Sequence, residues 1–85
     1  MKILHILRAL DDSRALQTAA AHRELGHEVT LLLLHDAVLS RIAFPGPVYA
    51  CADDVRARGG HCSFPTVDYD TIVRLLFEHD RVVSW

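Results

Sequence analysis

Two short stretches in the first half of the chain are almost continuously apolar, and a polar segment with the spacing of a helix separates them. The first, Lys2–Leu7, has His5 as its only polar interruption, and the second covers residues 28–34. Such runs are typical of strands that are buried on both faces of a parallel sheet. We therefore predict two central strands that are covered by helices on both sides.

The rest of the chain alternates in the same way. Asp11 and Asp12 are suitable helix N-caps, and Gly26 is a suitable helix stop, so a helix is predicted between the two strands. Six further elements follow: a helix at 37–42 capped by Asp36, a strand at 48–50, a short helix capped by Asp53 or Asp54, a strand within 62–67, a helix at 69–79 capped by Asp68, and a strand at 81–85. This alternation predicts one three-layer α/β/α domain over residues 1–85, with a mostly parallel sheet.

The carboxyl ends of parallel strands share one edge of the sheet, and ligands bind at that edge. On this chain the edge should carry residues 8–11, His35 and Asp36, Cys51, and Asp68. The segment after the first strand contains no glycine, so it is not a phosphate-binding loop. We expect no cofactor.

The composition narrows the classes of partner. Nine Lys and Arg against eleven Asp and Glu give no basic footprint for direct nucleic-acid binding. The longest apolar run is too short to span a membrane, and a strand begins too early to leave room for a signal peptide, so cytoplasmic residence is expected. An apolar content of 51% in 85 residues favours association with another subunit or with itself. Our interface candidates are Leu39, Ile42, Phe44 and Trp85.

Cys51 is the leading candidate for chemistry. It should lie where the third strand ends and a short helix begins, and amides at a helix N-terminus favour an anion such as a thiolate. Asp53 and Asp54 would repel that thiolate, and free cysteines are often simply small buried apolar residues. His35 follows the second strand and lies next to Cys51 if the second and third strands are neighbours. It is then a candidate to assist with a proton, although a histidine that bonds only to backbone is the simpler interpretation.

Cys62 is the second thiol, and it is expected to be a loop residue or a resolving partner for Cys51. A metal held by Cys51, His61 and Cys62 is disfavoured because only three ligands are present, without paired spacing. We therefore predict no metal site.

Four segments, taken in order, resemble the DsrH/TusB subfamily of small sulfur-relay subunits. They are residues 32–38, Val48 and Tyr49 with Asp54, residues 57–59, and residues 67–85. The resemblance covers essentially the whole chain. It implies a five-stranded parallel sheet with strand order 4-3-2-1-5 and the transfer of persulfide sulfur, either towards 2-thiouridine synthesis in tRNA or within sulfur oxidation. It also implies partners: sister DsrE/DsrF (TusD/TusC)-like subunits and a DsrC/TusE-like sulfur acceptor.

The chain departs from that subfamily at Cys51. This residue stands seven positions before Arg58-Gly59, which resembles the pattern around the active cysteine of the DsrE/TusD carrier subunit. DsrH/TusB sequences usually have an apolar residue there, and the cysteine that some of them carry in the first helix is missing here. Two functions stay open: a sulfur carrier that works through Cys51, and a non-catalytic scaffold subunit of a DsrEFH/TusBCD-like complex. A small-ligand binder has no residue signature.

Overall fold

The protein is described by a computed structural model that covers residues 1–85. Five strands form a single sheet in the order β4-β3-β2-β1-β5, and every neighbouring pair is parallel. The strands are β1 (Lys2–Leu7), β2 (Glu28–Leu33), β3 (Val48–Cys51), β4 (Thr66–Val67) and β5 (Arg81–Ser84). The predicted α/β class and the predicted strand order are therefore confirmed.

Three α-helices and one 3₁₀ helix connect the strands. They are α1 (Ser13–Glu24), the 3₁₀ helix (His35–Leu39), α2 (Ala52–Ala57) and α3 (Tyr69–Glu78). The carboxylate of Asp12 accepts from the amide of Ala15 at 3.1 Å and caps α1. Asp68 caps α3 in the same way through the amide of Thr71 at 2.8 Å. Both caps were expected from the sequence.

Two other predicted caps are wrong. Asp36 lies inside the 3₁₀ helix, which begins at His35 and has no side-chain cap. Asp53 and Asp54 lie in the first turn of α2, and Cys51 occupies the N-cap position. The reason is that β3 continues through Cys51, which pairs with Val67 of β4, so α2 starts directly after it.

Strand β2 is the centre of the core and is buried on both faces, as predicted: the residues from Val29 to Leu33 are at most 9% exposed. One face, here called the α1 face, packs against α1, the 3₁₀ helix and α2. Its buried residues include Leu7, Ala15, Ala19, Leu31, Leu33, Val38, Val48, Ala50 and Val55.

The opposite face, here called the α3 face, carries α3 alone. The imidazole of His79 lies 3.2 Å from the hydroxyl of Thr30 on β2 and joins the end of α3 to the sheet. No residue of α3 is fully buried, and Tyr69 and Phe77 are 74% and 86% exposed. Cover on this face is therefore incomplete. None of the helices has the length and the apolar character needed to cross a bilayer.

The residues chosen from the sequence as interface candidates divide into two groups. Leu39 is exposed. Ile42, Phe44 and Trp85 are partly buried and pack against the core of the α1 face. The largest exposed apolar side chains lie instead on α3, so any surface that attracts a partner should centre there.

Candidate functional site

The carboxyl ends of the parallel strands lie at one edge of the sheet, here called the C-terminal edge. The first residues beyond β1, β4 and β5 are Arg8, Asp68 and Trp85, and His35 follows β2 by two positions. Cys51 is itself the last residue of β3. The sequence therefore predicted correctly which side chains share this edge.

The Cys51 thiol is half-buried and forms no capping hydrogen bond with α2. Val48 and Ala50 belong to the core of the α1 face. Because side chains alternate along a strand, Tyr49 and Cys51 point towards the α3 face, where helix cover is incomplete. Cys51 does not line the four clefts formed around Thr30, Ser40, Phe44 and Ala20. The thiol is therefore open to approach by a surface rather than enclosed in a pocket.

The acidic residues after Cys51 are paired with arginines. Asp53 forms an exposed ion pair with Arg56 on α2. The Nε of Arg58 donates to the carboxylate of Asp36 at 2.9 Å, and an Nη lies 3.8 Å from the carboxylate of Asp54. These pairs offset the repulsion that the sequence predicted between the aspartates and a thiolate at Cys51. Helix α2 itself has only six residues, so we assign it no separate role in holding an anion.

His35 adopts an unusual backbone conformation at this edge, with φ at 53°. Its amide donates to the Asp54 carboxylate at 2.8 Å, which ties the end of β2 to α2. Its imidazole is exposed. Asp11 has φ at 49°, and its carboxylate accepts from the amide of Arg41 at 3.0 Å. Both are non-glycine residues at positive φ at the C-terminal edge, and such conformations often accompany functional sites.

Cys62 is held in a different environment. Its thiol donates to the carbonyl of Val38 at 3.4 Å and accepts from the amide of Phe64 at 3.5 Å. It packs against the core of the α1 face, on the other side of the sheet from the direction of Cys51. Both cysteines are free thiols. This placement gives no support to a resolving role for Cys62, and no group of three or more ligating side chains comes together anywhere.

The carboxylate of Asp68 is committed to the start of α3. Hydrogen bonds from Thr71, first from its backbone amide, lower the pKa of Asp68 below its ordinary value. Asp68 therefore stays charged at neutral pH as a cap and is not available as a general acid.

A cluster that the sequence analysis missed lies under α1. His5 is fully buried, and it is hydrogen-bonded to His22 of α1 and to Trp85. Burial, and then the nearby His22, lower the pKa of His5 to about 4. The sequence does contain a sign of this cluster. A histidine inside an apolar strand needs hydrogen-bond partners, and His22 lies on the same face of α1 as Ala15 and Ala19, the face that packs on the sheet.

No family model matches the chain, and no curated protein matches its sequence. A function for this protein therefore has to be inferred from its own residues and their geometry.

Proposed function

We propose that this protein carries sulfane sulfur as a persulfide on Cys51, in a cytoplasmic sulfur relay of the DsrH/TusB type. The observation that carries the proposal is the position of Cys51. A free, half-buried thiol ends a strand at the C-terminal edge of a parallel sheet, which is the edge where such folds do their chemistry. The thiol of Cys62, in contrast, both donates and accepts a hydrogen bond and packs against the core.

Loading and delivery are two thiol exchanges in which atoms and electrons balance. The Cys51 thiolate attacks the terminal sulfur of a donor persulfide, the donor S–S bond breaks, and the donor leaves as a thiolate. The thiolate of an acceptor cysteine then attacks the terminal sulfur on Cys51, and Cys51 is released as a thiolate. The attacking species is a thiolate in both steps, so the thiol proton must leave first.

The surroundings of Cys51 suit this chemistry. Arg56 and Arg58 are paired with the acidic residues that follow the thiol, so local negative charge opposes the thiolate less than the sequence alone would imply. We assign His35 the role of accepting the proton of the incoming thiol. Its imidazole is exposed just beyond the strand next to β3, and a neutral imidazole has a nitrogen that can accept a proton.

The proposed partners are proteins. Cys51 is half-buried and lies outside the four clefts formed around Thr30, Ser40, Phe44 and Ala20, which favours a thiol presented on another protein, such as a DsrC/TusE-like acceptor, over a small enclosed substrate. Tyr69 and Phe77 on α3 are large and mostly exposed, and aromatic residues are enriched in interface cores. We propose that this surface meets sister DsrE/DsrF (TusD/TusC)-like subunits or a second copy of the chain. Direct binding to nucleic acid or to a membrane is not part of the proposal.

The alternative function is that of a non-catalytic scaffold subunit in the same kind of complex. One observation favours it: the two largest exposed apolar side chains, Tyr69 and Phe77, both lie on α3, which gives a surface suited to packing against another subunit. In that case Cys51 is a packing residue, and its replacement leaves the complex intact.

Persulfide loading separates the two functions. The purified protein is incubated with glutathione persulfide and separated from the reagent, and the mass of the intact protein is measured by mass spectrometry. The wild type should gain one sulfur atom, Cys51→Ser should gain none, and the matched control Cys62→Ser should load like the wild type. Equal loading of Cys51→Ser and wild type, or no loading of the wild type, would leave the scaffold function as the better account.

A further inference from the structure

Three aromatic side chains from distant parts of the sequence form a chain of hydrogen bonds under α1. The indole N–H of Trp85 donates to Nδ1 of His5 at 3.0 Å, and Nε2 of His5 lies 3.0 Å from Nδ1 of His22. The His5 ring is tilted by 32° to that of His22 and by 20° to that of Trp85. His5 is on β1, His22 on α1, and Trp85 directly follows β5, so the chain joins three elements.

The indole N–H of Trp85 determines which ring nitrogens of His5 and His22 carry hydrogen. An indole nitrogen can only donate, so Nδ1 of His5 must be the acceptor and carry no hydrogen. A neutral His5 then has its hydrogen on Nε2, which donates to Nδ1 of His22. His22 in turn must carry its own hydrogen on Nε2. Both hydrogen bonds are satisfied together only when both imidazoles are neutral.

An added proton has no place in this arrangement. On either ring the only nitrogen without a hydrogen is Nδ1, and in both cases that atom is already the acceptor of a bond. A proton on Nδ1 of His5 would face the indole N–H of Trp85. A proton on Nδ1 of His22 would face the Nε2–H of His5. Protonation of either ring therefore replaces one hydrogen bond with two opposed donors.

The groups around the chain do not compensate for an added charge. His27 approaches His22 edge-on, with ring centroids 6.3 Å apart, and its Nδ1 lies 3.1 Å from the Met1 amino group. On the β5 side, Arg81 is the register neighbour of Ile3, on the same sheet face as His5. The Nε of Arg8 donates to the carbonyl of Trp85 at 2.8 Å. All of these groups are cationic or can become so.

No carboxylate takes part in the hydrogen bonds that join Trp85, His5 and His22. Asp80, just before β5, accepts from the amide of Lys2 at 2.7 Å. Glu24 is the last residue of α1, two positions beyond His22. Glu28 is the register neighbour of Lys2, on the opposite sheet face from His5. No carboxylate is hydrogen-bonded to His5 or to His22, whose partners are each other and Trp85.

We propose that Trp85, His5 and His22 form a proton-operated latch, which holds β5 and Trp85 against β1 and α1 while both imidazoles are neutral and releases them when a proton enters. The segment that the latch holds is the edge strand of the sheet, so it can separate without breaking the central strands. Its release also frees Arg8, whose side chain holds the Trp85 carbonyl.

The direction of the pH dependence follows from His5. Burial and the nearby His22 lower its pKa to about 4, whereas a histidine in a released or unfolded segment titrates near pH 6.5. The latch is therefore fully effective above about pH 6.5 and weakens as the pH falls towards 4. His5 stays on β1 when β5 separates, so its pKa rises only part of the way towards 6.5. The equilibrium constant for opening should therefore increase as the pH falls, by less than about tenfold per pH unit and by less than about 300-fold over the whole window.

Trp85 is the only tryptophan, so its fluorescence reports the latch directly. The full-length protein is titrated from pH 7.5 to pH 4, and tryptophan emission, acrylamide quenching and far-ultraviolet circular dichroism are measured on the same samples. We expect quenching of Trp85 to rise below pH 6.5 before the helical signal falls. In the double variant His5→Gln, His22→Gln, which keeps neutral donors and acceptors, this early phase should be absent. The matched control His61→Gln, an exposed loop histidine, should behave like the wild type.

The proposal is overturned if the double variant keeps the early phase at the same pH, or if fluorescence and circular dichroism change together as one transition. A second measurement uses the wild type alone, so it tests the proposal even if the double variant does not fold. Long-range ¹H–¹⁵N correlation spectra of the imidazoles at pH 7.5 should give both His5 and His22 as the tautomer protonated on Nε2. Finding His5 protonated on Nδ1 would contradict the hydrogen-bond chain itself.

Discussion

Replacing Arg58 with alanine should loosen the loops that surround Cys51, and the structure allows the size of the effect to be worked out. The Arg58 side chain is only 26% exposed. Its guanidinium donates to the Asp36 carboxylate at 2.9 Å and to the carbonyl of Asp54 at 3.2 Å. It therefore joins the end of α2 to the 3₁₀ helix that follows β2.

Each of these contacts is modest because solvent reaches at least one partner. The ion pair with Asp36, whose side chain is 70% exposed, should stabilise the fold by about 0.5–1 kcal/mol. The hydrogen bond to the Asp54 carbonyl adds about 1 kcal/mol, and the longer pair with the Asp54 carboxylate adds less. Since one guanidinium makes all three contacts, they do not add fully. We expect Arg58→Ala to lower the free energy of unfolding by about 1–2 kcal/mol, somewhat less than the sum of the separate contacts.

Arg56→Ala is the matched control, with the same substitution on the same helix. Its ion pair with Asp53 joins side chains that are 72% and 73% exposed, so the loss should stay below about 0.5 kcal/mol. Urea unfolding followed by circular dichroism gives both values. If the two variants were equally stable, Arg58 would not hold the edge as described. Arg58→Ala should also load persulfide on Cys51 more slowly than Arg56→Ala, because it leaves two carboxylates unpaired.

Two further predictions test the fold. Asp12→Ala removes the cap of α1 and should cost about 1 kcal/mol, measured by thermal unfolding; an unchanged midpoint would contradict the capping bond to Ala15. Leu31 and Leu32 lie on opposite faces of β2, and both are fully buried. Replacing either with alanine should therefore lower the free energy of unfolding by about 2–5 kcal/mol. A mild effect of either substitution in urea unfolding would mean that one face of β2 is open to solvent.

The parallel sheet and the position of Cys51 at its edge were accessible from the sequence for physical reasons, whereas the strand order was expected only from the family resemblance. A run such as residues 28–34 is too apolar and too short to be anything but a strand with cover on both faces. Caps such as Asp12 and Asp68 are local interactions, so their residues mark the helix starts directly. Once the strands are parallel, the residues that follow them must share an edge, which places Cys51 and His35 at the same edge of the sheet.

The features that could not be predicted from the sequence depend on contacts between residues that are far apart in the chain. Pairing with Val67 extends β3 through Cys51, which moves Asp53 and Asp54 from the predicted cap positions into α2. Asp36 pairs with Arg58, 22 positions away, instead of capping a helix. His5 and Trp85 are joined across 80 positions. No local pattern specifies such pairs, because they exist only after the sheet has formed.

The central claim, that Cys51 takes up sulfur and hands it on, is tested most directly by following one sulfur atom through the protein. Trypsin cleavage after Arg41, Arg56, Arg58 and Arg74 separates the two cysteines, since Cys51 falls in the peptide 42–56 and Cys62 in the peptide 59–74. The protein is loaded with ³⁴S-labelled persulfide, freed of donor, and mixed with an acceptor peptide that bears a single cysteine. The label should appear first on peptide 42–56 and then, in equal amount, on the acceptor. Label on peptide 59–74, or label that stays on the protein when the acceptor is present, would contradict a carrier function for Cys51.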